Sequence, residues 1–139
     1  MANEFARNLG DSGFSTTFTL PASASASTNQ ATPFDLGADT FKPEEVEVSL
    51  VIPALSSTLV PDTRTTTYII ETCTATNFST IDATLYTKTF TASGGTGVAA
   101  QDIRVRLPSN CARYIRAKVT HGASTTDSSA ISATVALKF

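Results

Sequence analysis

The chain is 139 residues long, sized for one domain with a substantial core; 41% of it is apolar and only 16% charged. It holds 39 serines and threonines and 19 alanines, lacks tryptophan, and has one methionine, at position 1, a composition suited to an all-β domain with polar loops. The net charge of −2 conceals an asymmetry: residues 1–103 carry 4 basic and 11 acidic side chains, residues 104–139 carry 6 basic and 1 acidic, so opposite patches can meet a partner or another copy, or neutralise each other within one surface.

Residues 1–14 mix Asn, Gly, Asp and single aromatics without periodicity and read as an extended N-terminal arm, with 15–139 as a single β-sandwich domain. The arm has no apolar secretory core and carries Glu4, Arg7 and Asp11, and no apolar run approaches the ~18 residues of a membrane span. Assembly in a cytoplasm without membrane attachment is therefore expected. Residues 15–20 form a first strand closed by Pro21. Residues 22–28 alternate like a strand, but Ala and Ser bury so little that a flexible loop fits as well. Residues 31–36 make a short strand ended by Gly37, with Pro33 marking an edge or a strand start.

The clearest strand follows Pro43. Val46, Val48, Leu50 and Ile52 share one face, Glu45, Glu47 and Ser49 the other, and Pro53 ends it. Residues 54–62 are a loop. Residues 65–74 and 80–91 are β-branched strands separated by a turn at Asn77-Phe78-Ser79, and 93–97 is an open, flexible glycine hairpin tip.

Residues 103–107 and 113–119 alternate on either side of a five-residue turn. Ile103, Val105 and Leu107, then Ile115, Ala117 and Val119, face one way; Arg104, Arg106, Tyr114, Arg116 and Lys118 face the other. A hairpin or tight corner between neighbouring strands is expected, giving a two-stranded ribbon that is apolar below and basic above. After a polar loop from His121 to Ser129, Ile131, Ala133, Val135 and Leu137 line a final strand. About eight strands with no sustained 3.6-residue period point to an antiparallel jelly-roll sandwich, with an immunoglobulin-like sandwich second because its Trp is missing.

No catalytic, metal or cofactor constellation emerges. His121 is the only histidine and, beside Gly122, reads as a loop residue. Cys73 and Cys111 lack CxxC spacing and read as reduced structural thiols. Glu44, Glu45 and Glu47 read as a solvated edge that discourages self-pairing. Asn77-Phe78-Ser79 matches a glycosylation sequon, which has no meaning without secretion. The basic run offers only Tyr114 for base stacking in an acidic chain, so no direct nucleic-acid binding is expected.

Three segments, in order, carry a resemblance. They are Ala26-Ser27-Thr28-Asn29 followed by Phe34-Asp35-Leu36-Gly37; Val46-Glu47-Val48-Ser49-Leu50-Val51 with Ile69-Ile70-Glu71-Thr72-Cys73; and Arg104-Val105-Arg106-Leu107-Pro108 followed by Arg113-Tyr114-Ile115-Arg116. The chain resembles the small cement, or decoration, proteins of tailed-phage capsids. That resemblance implies a jelly-roll structural protein on the virion exterior that clamps neighbouring major capsid protein subunits and stabilises the capsid. It implies a homo-oligomer too, a dimer before a trimer, with no enzymatic activity and no cofactor. The surface expected to meet the shell or a neighbouring copy comprises Arg104, Arg106, Arg116 and Lys118, with Phe5 and Arg7 of the arm. The alternative is a carbohydrate-binding jelly roll of a fibre or adhesin, against which the lack of Trp weighs.

Overall fold

The structure, a computed structural model, describes residues 14–22, 27–37 and 45–138. Nine strands run in order: β1 (Ser15–Thr19), β2 (Ser27–Gln30), β3 (Phe34–Asp35), β4 (Glu47–Ile52), β5 (Thr65–Cys73), β6 (Ala83–Thr91), β7 (Gln101–Arg106), β8 (Tyr114–His121) and β9 (Ser132–Lys138). They form two antiparallel sheets. Sheet A has the order β1-β9-β4-β7; sheet B has β2-β8-β5-β6, with β3 also on β8.

The pairing is nested. β1 lies on β9, β2 and β3 on β8, β4 on β7, and β5 on β6. One long double-stranded ribbon is thus rolled on itself, and β9 on β4 and β8 on β5 close the two sheets. This is the jelly-roll sandwich expected from the strand count. β2 meets Lys118 to His121 and β3 meets Tyr114 and Ile115. They are two pieces of one strand, interrupted where Pro33 has no amide to donate. Counted so, the sandwich has eight strands.

Period-two alternation places the core. Val48, Leu50 and Ile52 of β4, Tyr68 and Ile70 of β5, Ile115, Ala117 and Val119 of β8, and Ala133 and Val135 of β9 are fully buried between the sheets. Leu20, Leu55 and Val60 from the connections close the ends. Threonine fills the outer face of sheet B. Thr28, Thr120, Thr67 and Thr89 stand in one row across four strands. Thr28 bonds Thr120, and Thr67 bonds Thr89, through hydroxyls 2.8 Å apart. Such cross-strand pairs explain how a threonine-rich chain stays ordered on its wet side.

Several expectations are corrected. Residues 103–119 are not a ribbon: β7 pairs with β4 in sheet A and β8 with β5 in sheet B. Both strands show an apolar face because they approach the same core from opposite sides, and residues 107–113 cross between sheets. The glycine stretch 93–97 is likewise a crossover, not an open tip. Leu55 and Val98 exchange backbone hydrogen bonds of 2.8 Å, and Asp62 accepts from the amide of Gly95. Gly97 has φ +74°, and a Cβ there would fall on the carbonyl of Leu55, so the close approach requires glycine. β2 starts at Ser27, inside the stretch for which strand and loop fitted equally well. β6 begins at Ala83, three residues later than expected. β4 is not an edge: it lies between β9 and β7, where Glu47 stands in a row with Lys138 and Arg106. The arm, apart from Phe14, and Glu44 lie outside the described residues.

Candidate functional site

The expected basic surface is divided. Arg104 and Arg106 project from the outer face of sheet A, and Arg116 and Lys118 from the outer face of sheet B. Phe5 and Arg7 lie outside the described residues. No single surface therefore collects the four cations.

On sheet B, Arg116 stands opposite Glu71, and Lys118 opposite Ile69. Arg116 Nε and Nη2 both lie 2.6 Å from Glu71 Oε1, and Lys118 Nζ lies 2.9 Å from Oε2. The Glu71 side chain is 2% exposed although it belongs to the solvent side of its sheet. The 74–82 connection packs against its partner Arg116. Phe78 is buried and lies beneath the Arg116 guanidinium, 4.2 Å from ring centroid to guanidinium carbon. Phe78 adopts φ +50°, a rare conformation for a bulky residue, at a turn where Ser79 N–H donates to Asn77 Oδ1. The Cys73 thiol donates to the carbonyl of Thr80 and accepts from the amide of Ala75, tying down the same connection. Arg116 and Lys118 are thus committed to an internal carboxylate.

On sheet A the cations are freer. Arg104 is 53% exposed and reaches Asp102 two residues back, at 3.3 and 3.1 Å, with Glu47 3.9 Å away. This pairing holds the Asp102 carboxyl below its ordinary range and raises the guanidinium. Arg106 is exposed and makes no ion pair among the described residues. Elsewhere Arg113 and Asp35 form a two-pronged pair of 2.7 and 2.8 Å, which with the Gly37 amide lowers the Asp35 pKa to about 2.

His121 is not a loop residue. It ends β8 on the inward side and is fully buried. Its ring bridges Thr66 Oγ1 from Nδ1 and Ser128 Oγ from Nε2, each at 3.1 Å. Ser128 spends its hydroxyl proton on the Thr126 carbonyl, so it accepts from Nε2–H, and Nδ1 accepts from Thr66. Burial disfavours the charged imidazole and lowers its pKa. The signal was in the sequence: His121 continues the inward series Ile115, Ala117, Val119. Tyr68 OH is buried with no hydrogen bond of good geometry among the described residues, and burial pushes the phenol up to about 12 against the opposing effect of the nearby Thr66 hydroxyl.

The thiols are both free. Thr72 points inward and contacts Cys111 Sγ at 3.5 Å, whereas Cys73, the next residue, lies on the opposite side of β5. Among the described residues no group of His, Cys, Asp and Glu is placed to hold a metal ion, and no helix is long and apolar enough to cross a membrane. No family model matches the chain, and no curated protein matches it.

Proposed function

We propose that this jelly roll is a structural virion protein that binds the outside of a tailed-phage capsid. There it cements neighbouring major capsid protein subunits without catalysis. The observation that carries the reading is where the polar side chains go. His121 and Glu71 are committed to internal partners, while the outward chemistry is spread over two hydroxyl-rich sheet faces and the exposed cations of β7. The exposed arginines of β7 suit contact with a protein shell, because Arg is enriched where protein surfaces meet. The segment order that resembles cement proteins supports the same reading.

Purified protein mixed with capsids stripped of their accessory proteins tests it. Co-sedimentation at a fixed copy number relative to the major shell protein, with a raised disruption temperature for the particle, is the expected result. Absence from the pellet, or selective binding on a glycan array, would replace the cement reading with the carbohydrate-binding one.

A further inference from the structure

The free edge of sheet A is complementary to itself. Leu107 N–H donates to Val46 O at 2.9 Å. Antiparallel ladders alternate, so the backbone groups of Ile103 and Val105 also face β4, and those of Asp102, Arg104 and Arg106 face away from it. Among the described residues no strand pairs with that side of β7. The side chains of the same three residues are exposed and read acid, base, base at alternate positions.

The other edges are closed or guarded. β1 and β2 are linked, with Asn29 Nδ2 donating to Thr19 O at 2.7 Å. β6 carries an extra residue where its register with β5 shifts between Ile70 and Glu71, and Lys88 sits in the inward row opposite Tyr68. Bulges and inward-pointing charges are devices that discourage edge pairing. β7 has neither.

We propose that β7 pairs antiparallel with β7 of a second copy, Ile103 opposite Ile103, so that Asp102 of each copy meets Arg104 of the other. The charges select this register. A slip of one residue sets outward side chains against inward ones. Moving the centre to Asp102 opposes two aspartates. Moving it to Arg104 sets Asp102 opposite Arg106 but opposes two arginines on the axis itself, where the proposed register has the uncharged Ile103. In the proposed register Arg106 lies diagonal to Asp102 of the second copy, within reach of a long side chain. Asp102 then exchanges a contact within its own strand for reciprocal contacts across a two-fold axis, and two four-stranded sheets become one of eight. The second copy is the occupant that supplies this charge pattern. The inference does not depend on the shell reading, because self-association is measured on the protein alone.

The test is sedimentation velocity on the full chain at on the order of 100 μM, where a small interface populates a dimer. The wild type should dimerise at about 50 mM salt and less at about 500 mM, because exposed charges are screened. Asp102→Arg and Arg104→Asp should each weaken self-association at least about tenfold, with unchanged circular dichroism, since both positions are exposed. A 1:1 mixture of the two variants should form a heterodimer, the two basic side chains at positions 102 and 104 of one meeting the two acidic side chains at those positions of the other. A monomeric wild type, variants that dimerise like the wild type, or a mixture that stays monomeric would each overturn the proposal. So would a monomer whose binding to stripped capsids depends on Asp102 and Arg104, because that edge would then receive a strand from the shell.

Discussion

Glu71 and Arg116, 45 residues apart in sequence, share a 2.6 Å hydrogen bond on the outer side of sheet B, yet the carboxylate is almost sealed from solvent. The guanidinium lies over Phe78, so the pair and the 74–82 connection hold each other in place. Removing one partner of a buried pair leaves an uncompensated charge, at a cost of about 3–5 kcal/mol. Arg116→Ala should lose a large part of that in urea unfolding, because Glu71 cannot turn to water and keeps only the more exposed Lys118. Lys118 is 21% exposed and touches Glu71 by one contact. Lys118→Ala should therefore cost less, about 1–3 kcal/mol. Equal, negligible losses for both would show that the carboxylate is hydrated.

His121 makes stability pH-dependent in a defined window. Burial lowers its folded-state pKa from the ordinary 6.5. The unfolded chain therefore takes up more protons as pH falls through that value. Stability is complete above it and declines below it. It is the only histidine in the chain. The urea midpoint should fall between about pH 7.5 and about pH 5.5 in the wild type and stay level in His121→Gln, above the range where carboxylates titrate. A level wild-type midpoint would refute the buried neutral imidazole.

The cysteines should behave as two separate thiols. Unfolded without reductant, the protein should take up two equivalents of an alkylating reagent by mass spectrometry. In the native state Cys111, which is half-buried, should label slowly and Cys73, sealed under the 74–82 connection, should not label. Burial raises the Cys111 pKa, which slows it further. Labelling that required reductant would mean that β5 does not separate the two sulfurs.

Charge placed on the two faces of β4 should have opposite consequences. Val48 has no exposed surface, and Val48→Asp should cost more than about 4 kcal/mol and prevent folding. Val105, opposite it on β7, is only half-buried, so Val105→Asp should be milder. Glu47→Ala and Arg104→Ala remove contacts at a wet surface, the closest between them 3.9 Å, and should leave the melting temperature nearly unchanged. Similar losses for inward and outward substitutions would contradict the alternation.

The sequence by itself determined the fold class and the face on which most strand residues lie. Alternation in Val46 to Ile52 or Ile115 to Val119 reports directly which side chains face the core, because the strand period is two. It carries no information about which sheet a strand joins. Ile103 and Ile115 reach one core from opposite sides, so Arg104 and Arg116, adjacent in a ribbon drawn from the sequence, end on opposite faces of the molecule. Only tertiary structure decided that Arg116 and Lys118 neutralise Glu71 while Asp102, Arg104 and Arg106 stand on an edge that no described strand pairs with. The physical reason is range. A strand's faces are set by its own covalent geometry, whereas a buried ion pair or a free edge is set by pairing between segments tens of residues apart, which hydrophobic burial brings together without regard to their separation in sequence.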